Sequence, residues 1–171
     1  MKILLDEIGM KKSMTRICYE IIEKNKDIDK LVLLGIKSRG DILAERIKNR
    51  IEELEKISIP LETIDITYYR DDINKKNLDI KEHKFETDLT DKVVIIVDDV
   101  LYTGRTIRAA LDAILNTARP AKIQLACLID RGHRELPIRA DFIGKNIPTS
   151  RDEKIEVHLQ EFDGEECVFI I

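Results

Sequence analysis

The feature that most constrains the fold is a run of five β-branched residues at 93–97, Val-Val-Ile-Ile-Val. A continuous apolar run of this length is typical of a parallel strand that is buried on both faces of a sheet. An apolar stripe at helical spacing follows it at residues 107–118, and the same order of strand, loop and helix occurs at 31–36 and 43–54. Alternating strands and helices predict an α/β fold with a doubly wound, mainly parallel sheet flanked by helices.

Weaker patterns extend this order towards both ends of the chain. Apolar residues recur at helical spacing over residues 14–22, which predicts an amphipathic first helix. Residues 61–69 and 123–129 have strand composition, and strands at 155–159 and 167–171 flank the turn residues Asp163-Gly164. Because 171 residues fall within the size range of one compact domain, we expect residues 1–171 to form a single domain.

Composition argues against several classes of protein. With 43% hydrophobic and 36% charged residues the chain has a globular composition, and no apolar run reaches the length of a membrane span. The three cysteines are widely separated, which disfavours a disulfide framework or a zinc knuckle and favours a cytoplasmic protein. The net charge of −4 argues against non-specific coating of nucleic acid. Charge is uneven, because residues 131–151 carry five Lys/Arg against two Asp/Glu and residues 152–171 carry one against seven.

Two adjacent acids and a Thr-Gly loop follow the run at 93–97. Asp98 and Asp99 come directly after it, and Thr103-Gly104-Arg105-Thr106 precedes the predicted helix. Amides and hydroxyls at the start of a helix favour a phosphate. Neighbouring carboxylates can accept hydrogen bonds from ribose hydroxyls or order the water ligands of Mg²⁺. The pattern therefore indicates a site for a phosphorylated ribose.

A second polar loop follows the strand at 31–36. The segment Gly35-Ile36-Lys37-Ser38-Arg39-Gly40 places two cations and a hydroxyl between glycines, which suits a diphosphate. Ligands of doubly wound sheets bind at the carboxyl ends of strands near the point where the strand order reverses. We therefore expect the loops after Ile36 and Val97 to carry the chemistry of the protein.

The stretch 93–106 resembles the phosphoribosyl pyrophosphate motif of the type I phosphoribosyltransferases. The resemblance implies that phosphoribosyl pyrophosphate binds with Mg²⁺, whose water ligands lie near Asp98 and Asp99 without a direct protein ligand. It implies catalytic roles for Asp98, Asp99 and Arg39. The charged segment 70–91 resembles the flexible hood loop that closes over the site in this family. The substrate-binding residues that the resemblance implies are Ser38, Arg39, Asp98, Asp99, Val100, Leu101, Tyr102, Thr103, Gly104, Arg105 and Thr106.

Tyr102 and the last third of the chain indicate which group of type I phosphoribosyltransferases the chain resembles. In purine-specific members the residue before Thr-Gly is commonly Asp, and Tyr102 cannot act as a carboxylate base, so we expect an acceptor other than a purine. Residues 64–72, 99–106 and 130–149 resemble the pyrimidine-operon attenuation regulators that are also uracil phosphoribosyltransferases. This implies that uracil is converted to uridine monophosphate (UMP) with release of pyrophosphate. Arg131, Phe142 and Ile143 are predicted to follow strands at the same edge and to line the pocket.

The same resemblance implies an RNA partner. Members of that family bind a stem-loop of the pyr operon leader mRNA when a uridine nucleotide, UMP or UTP, occupies the site, and so attenuate transcription. A homo-oligomer, expected to be a dimer, is implied as well, and no membrane partner. Tyr19 departs from the His often found at its position and leaves an aromatic ring able to stack on an unpaired base. The residues implied to bind RNA are Thr15, Arg16, Lys24, His133, Arg134, Arg139 and Lys145.

Two alternatives stay open at this point. The site could serve mainly as a sensor of uridine nucleotides with weak catalysis, because both uses need the same motif. The chain could also be a phosphoribosyltransferase for another base that binds no RNA, since a solvated helix face with ordinary salt bridges has the same composition. A transferase assay with uracil, hypoxanthine, adenine and orotate side by side separates these alternatives.

Overall fold

The computed structural model describes residues 1–67 and 83–171. Its helices are α1 (Glu7–Lys24), α2 (Gly40–Glu55), α3 (Arg105–Thr117) and α4 (Gln160–Asp163), with a short 3-10 helix at Ile28–Lys30. Its strands are β1 (Lys2–Leu5), β2 (Leu31–Ile36), β3 (Leu61–Ile64), β4 (Val93–Leu101), β5 (Lys122–Asp130), β6 (Phe142–Asn146), β7 (Ile155–His158) and β8 (Cys167–Ile170).

Strands β2 to β6 form one parallel sheet in the order β3-β2-β4-β5-β6. From β2 the chain first moves outward to β3, and it then returns to the other side of β2 to add β4, β5 and β6. The strand order therefore reverses between β2 and β4, which pair from Leu31 opposite Val93 to Gly35 opposite Val97. The predicted α/β class, with a parallel sheet flanked by helices, is confirmed. The loops that leave β2 and β4 lie side by side at the carboxyl edge.

Alternate residues of the central strands pack into opposite layers. Leu31 and Leu33 of β2 lie in the layer of α1 and α2, whereas Val32 and Leu34 lie in the layer of α3. Successive side chains of a strand point to opposite faces, and here both faces are covered. This arrangement explains why the central strands read as continuous apolar runs.

A second, antiparallel sheet joins the two ends of the chain in the order β1-β8-β7. Lys2 of β1 lies opposite Ile170 of β8. The last two strands were predicted, but β1 was not, because its four residues show no periodicity that separates a strand from a helix. Buried residues of this sheet, Val157 and Val168, join the hydrophobic layer of α1 and α2.

Strand β3 is shorter than the predicted strand at 61–69. It ends at Ile64 because the Asp65 carboxylate accepts hydrogen bonds from both the amide and the hydroxyl of Thr67, which turns the chain. Residues 68–69 and the first part of the hood segment 70–91, residues 70–82, lie outside the described residues. The described end of that segment packs against the domain, with Leu89 buried in the layer of α3. Among the helices of the described residues none is long and apolar enough to cross a membrane.

Candidate active site at the carboxyl edge of the parallel sheet

The two aspartates lie inside β4 and not after it. The ladder with β5 continues past them, with Val100 opposite Ile129 and Leu101 opposite Asp130. Asp98 is only 6% exposed. Its Oδ1 accepts a hydrogen bond from the amide of Asp99 at 2.9 Å, and Asp99 Oδ1 accepts one from the amide of Val100 at 2.7 Å. These bonds hold both carboxylates in fixed positions at the edge of the sheet.

Burial raises the pKa of both carboxyl groups. Desolvation is the main cause at Asp98, whose pKa lies well above its usual range, and the negative charge of Asp99 raises it further. Desolvation also raises the pKa of Asp99, while the amide of Val100 and the positive charge of Arg39 act in the opposite direction. Two adjacent acids kept from water in this way gain from any cation that a ligand brings with it.

The loop after β4 leads directly into the start of α3. Gly104 has φ +94°, and a Cβ built there would lie 3.3 Å from the side chain of Ile138. The Thr103 hydroxyl accepts a hydrogen bond from the amide of Arg105 at 3.3 Å, and the first turn of α3 contains no acidic residue. A cavity of about 240 Å³ lies over this loop, lined by Asp98 and residues 100–107. The amides at the start of α3 and the hydroxyls suit an anion such as phosphate.

The loop after β2 lies next to this cavity. It contains a cis peptide bond between Lys37 and Ser38 and ends at Arg39, whose φ is +74°. A Cβ on Gly40 would come within 2.5 Å of the carbonyl oxygen of Val97, so only glycine allows α2 to begin this close to β4. Ser38 is exposed at the tip of the loop. The structure thus brings Ser38, Arg39 and the aspartates to one edge.

Arg39 is held by the hairpin formed by β7, α4 and β8, a contact that the sequence did not reveal. Its Nε and Nη2 donate to the two carboxylate oxygens of Asp163 at 3.1 and 2.6 Å, and its guanidinium lies 4.8 Å from the ring centre of Phe162. This hydrogen-bonded pair raises the pKa of Arg39 and lowers that of Asp163. A cavity of about 320 Å³ lies beside Arg39, lined also by Asp99, Lys154, Ile155, Glu156 and Val157.

Tyr102 lines the cavity over the loop after β4, and it contacts Arg131, which lines a further hollow. Its ring faces the guanidinium of Arg131, whose Cζ is 3.9 Å from the ring centre. Arg131 is buried and donates to the Thr149 hydroxyl and to the Ser150 carbonyl, both at 3.1 Å. The hollow, about 450 Å³, is lined by Asp130, Arg131, Gly132, His133, Arg134, Asn146, Pro148 and Thr149. Two further predicted residues differ in exposure, since Leu101 is buried in the layer of α3 and Val100 is half-buried.

The prediction that Phe142 and Ile143 follow a strand at this edge is wrong. They are the first two residues of β6, and Phe142 lies opposite Ala126 in the middle of β5. A chain that makes a parallel strand must cross the sheet before it starts that strand, so the segment after Asp130 brings Phe142 back from the carboxyl edge. Phe142 is buried in the layer of α1 and α2 and is a core residue.

The two segments predicted to bind RNA meet where α1 packs against β6. Arg16 donates to the carbonyl oxygens of Ile143, at 3.1 Å, and of Gly144, and Lys24 contacts Asp141 at 3.2 Å. Lys145 donates to the carbonyl of Leu4 at 3.3 Å. The exposed cations Arg16, Lys24 and Lys145 are called the basic face below. Thr15 is half-buried beside it on α1, in a surface hollow shared with Tyr19.

The residues at 133–139 differ in how many hydrogen bonds their polar groups make within the protein. Arg134 donates to Asp130 Oδ2 at 2.6 Å, to the Ile138 carbonyl at 2.8 Å and to the Tyr102 carbonyl at 2.9 Å. His133 contacts the carbonyl of Thr149 through Nε2. Arg139 is exposed, and no hydrogen bond or ion pair ties it to residues 1–67 or 83–171. Arg134 therefore braces the loops around Tyr102, whereas Arg139 keeps its full capacity for a partner.

Comparison with known proteins gives one family and one fold. The family described as phosphoribosyl transferase domain matches residues 2–161. A protein from Fusobacterium nucleatum named Bifunctional protein PyrR is 74% identical over 173 residues, which cover 100% of this chain and 98% of the relative. A protein of the same name from Staphylococcus aureus is 58% identical over 171 residues, which cover 99% and 98%.

Solved structures of similar shape include hypoxanthine phosphoribosyltransferases. The enzyme from Trypanosoma cruzi superposes with a TM-score of 0.75 at 19% identity, covering 99% of this chain and 95% of that one. The enzyme from Staphylococcus aureus gives a TM-score of 0.74 at 18% identity, covering 98% and 90%. At such low identity the two structures show a shared fold.

Proposed function

This chain belongs to the PyrR family of phosphoribosyl transferase domain proteins, and from that premise we propose that it has two linked functions. It transfers the phosphoribosyl group of phosphoribosyl pyrophosphate to uracil, giving UMP and pyrophosphate. It also binds a stem-loop of the pyr operon leader mRNA and attenuates transcription when UMP or UTP occupies the site. The observation that carries the proposal is the buried pair of aspartates between two anion-binding loops at the reversal of the strand order.

In the proposed complex, phosphoribosyl pyrophosphate spans this edge of the sheet. Its 5-phosphate lies on the loop 103–106, whose residues line the cavity at the start of α3. Its ribose hydroxyls donate to Asp98 and Asp99, which the amides of β4 hold in place. Its pyrophosphate lies beside Ser38 and Arg39, in the cavity that Lys154 also lines. The substrate thus spans the two loops that leave β2 and β4.

The carboxylate pair also fits Mg²⁺ with the substrate. Mg²⁺ prefers oxygen ligands and keeps several waters, and Asp98 and Asp99 can accept hydrogen bonds from those waters beside the loop of Ser38 and Arg39. When bound, the ion neutralises charge on the pyrophosphate and on the two buried acids. The chain's own contribution is to hold the two carboxylates, whose raised pKa reflects their desolvation, until ligand and ion arrive.

The transfer requires that the two substrates be positioned and that the developing charges be stabilised. It does not require a covalent nucleophile from the protein. Uracil N1 forms a bond to C1 of the ribose while the bond from C1 to the pyrophosphate oxygen breaks, and the N1 proton leaves to solvent. Positive charge develops on the ribose, where carboxylates nearby stabilise it, and negative charge develops on pyrophosphate, where Arg39 lies. The hydrogen bonds from Arg39 to Asp163 fix the position of that guanidinium before substrate binds.

Tyr102 and Arg131 are the groups that we assign to the base. The hollow beside them is lined by neutral and cationic groups as well as Asp130, and Tyr102 offers a ring without a carboxylate. The test is a transferase assay of the purified chain with uracil, hypoxanthine, adenine and orotate. Uracil should give the highest rate, and best activity with a purine would contradict the assignment. Rates near background with every base, together with tight UMP binding, would favour a sensor of uridine nucleotides.

The RNA function rests on the PyrR relatives and on the contact between α1 and β6. The basic face lies next to the loop 131–139, and Arg134 in that loop donates to the carbonyl of Tyr102 in the proposed nucleotide site. A nucleotide that orders Tyr102 and Arg131 can thereby order the neighbouring loop. Linkage then requires that RNA tighten UMP binding by the same factor by which UMP tightens RNA binding. A homodimer in the cytoplasm is part of the proposal, and light scattering at micromolar concentration tests the dimer.

A further inference from the structure

The antiparallel sheet carries a cluster of three metal-binding side chains away from the aspartate pair. His158 of β7 lies directly opposite Cys167 of β8, so the two side chains project from the same face. After α4 the chain turns back, and the Glu165 carboxylate contacts Nδ1 of His158. One ligand atom from each of His158, Glu165 and Cys167 lies within 4.8 Å of the other two.

We propose that this cluster is a zinc-type site that binds one transition-metal ion through His158, Glu165 and Cys167. Imidazole, thiolate and carboxylate are the ligands that zinc uses in proteins, and a thiolate selects against Mg²⁺. A tetrahedral zinc ion holds its ligand atoms roughly 3.3–3.8 Å apart, so the three side chains would have to move by about 1 Å to bind it. The Glu165 side chain, 59% exposed, is free enough to supply that movement. Three protein ligands leave a fourth position for water.

The surroundings of His158 prepare it as a ligand. Its Nε2 lies 3.6 Å from Glu156 Oε2, and its ring packs edge-on against Phe169 with centroids 4.6 Å apart. Metal-bound histidines commonly direct their other ring nitrogen to a carboxylate, which fixes the tautomer and the ring orientation. In the tautomer that binds an ion through Nδ1, the ring proton is on Nε2 and faces Glu156, whereas without an ion Nδ1 contacts the Glu165 carboxylate. The outer contact with Glu156 is the second observation that distinguishes the cluster from a chance meeting of polar groups.

The metal would link β7 to β8, the two strands of the hairpin that holds Arg39 in the loop after β2. The segment between His158 and Cys167 contains Asp163, which holds Arg39, and Glu166, whose carboxylate accepts from Arg46 at 2.6 and 2.9 Å. An ion that binds only the folded arrangement raises its stability with increasing concentration. The site is therefore a stabilising clamp on the hairpin, and this inference holds whether or not the chain transfers a phosphoribosyl group to uracil.

Cobalt absorption tests the site directly. The full chain, stripped with a chelator and kept reduced without added thiols, is titrated with Co²⁺ in saturating Mg²⁺, which occupies sites built only from oxygen. One Co²⁺ per chain should bind with a sulfur-to-metal charge-transfer band, and Zn²⁺ should bleach that band. Cys167→Ser should remove it. His158→Gln should weaken Zn²⁺ binding by more than about 10–100-fold, the range that loss of an outer contact alone produces, and Glu156→Gln by about 10-fold.

Cys18→Ala is the matched control, since it removes a different thiol, buried on α1, and should leave the band unchanged. Zn²⁺ should raise the Tm of the parent chain and of Cys18→Ala but not that of Cys167→Ser. Circular dichroism checks that each variant is folded, and His158→Gln replaces Cys167→Ser if the latter is not. Absence of the band in the parent chain, or its persistence without the Cys167 thiol, overturns the proposal.

Discussion

The edge that holds the aspartates and the basic face use charge in opposite ways. Asp98 and Asp99 are buried side by side, and their raised pKa values show that burial costs the charged forms. On the basic face Arg16 and Lys24 already contact oxygen atoms of the 141–144 segment, so much of their capacity is used within the protein. The difference teaches that local charge does not by itself identify a ligand surface. What matters is how far the charge of a group is already balanced by partners within its own chain.

The largest expected effect comes from Asp99→Asn. The substitution keeps the size of the side chain and an oxygen that can accept from the Val100 amide, but removes the negative charge beside the ribose. Loss of one group that stabilises developing charge typically costs about 10²–10³-fold in rate. We expect kcat/KM for UMP formation to fall by that factor in a coupled assay of pyrophosphate release.

Asp112→Asn provides the control for this variant, because it removes a carboxylate on the exposed side of α3, 45% exposed and paired with Arg108. Its turnover should match that of the parent chain. Unchanged UMP production by Asp99→Asn would remove the aspartates from the mechanism. It would also remove the contrast between the aspartate edge and the basic face, since the buried charge of Asp99 would then have no role in catalysis.

The sequence indicated that Asp98, Asp99 and the loop 103–106 lie close together but not that Asp163 holds Arg39, for a physical reason. Asp98, Asp99 and the loop 103–106 are neighbours in the chain, so a local pattern contains their geometry. Asp163 lies 124 positions from Arg39 and reaches it only because β1 and β8 join the two ends of the chain in a second sheet. Such a contact leaves no periodic signal, and Asp163 was visible only as a turn residue.

The basic segment at 131–151 shows the same limit. Composition marked it as positive, which was correct, but it could not say which cations are already bound within the protein. Three hydrogen bonds engage Arg134, whereas Arg139, five residues later, has no such partner in the described residues. Nor did composition show β6, because the glycine and lysine in its five residues weaken the strand pattern.

A smaller effect tests whether the buried acids cost stability. The folded-state pKa of Asp98 is raised, so this carboxyl stabilises the fold below its unfolded pKa, and the contribution is lost as the pH rises through the folded value. Asp98→Asn does not titrate and keeps an oxygen for the Asp99 amide. In chelator, and without substrate, the variant should therefore have the higher Tm at neutral pH. The advantage should shrink as the pH falls towards the ordinary Asp range.

Calorimetry across that pH range measures the effect, and about 1 kcal/mol corresponds to a shift of roughly 2–4 °C in a chain of this size. The exposed Asp152, changed to Asn, should give no such pH-dependent difference. An Asp98→Asn variant less stable than the parent chain at neutral pH would show that the carboxylate is held by favourable contacts. In that case the aspartate edge would resemble the basic face, with its charge satisfied inside the protein.

The smallest expected effect separates the two arginines of the 131–139 loop. Each phosphate that a cation neutralises changes the slope of log affinity against log salt by about −0.7 for single-stranded regions, so three to five contacts give a slope of roughly −2 to −4. Arg139 is exposed with no partner in the described chain, and its full charge is available. Arg139→Gln should flatten the slope by about 0.7 and leave UMP formation unchanged. Filter binding of a leader stem-loop at several salt concentrations measures the slope.

Arg134→Gln is the matched change in the same loop, and the structure predicts the opposite pattern. Its guanidinium would have to give up Asp130 and the carbonyls of Ile138 and Tyr102 to reach a phosphate, so its removal should alter the salt slope less. The same removal leaves three oxygens near Tyr102 without a donor, which should lower the Tm and raise the KM for uracil. Equal slopes for Arg139→Gln and the parent chain, with a flattened slope for Arg134→Gln, would show that RNA binding rearranges this loop. The internal hydrogen bonds of the basic segment would then be a resting state that RNA replaces.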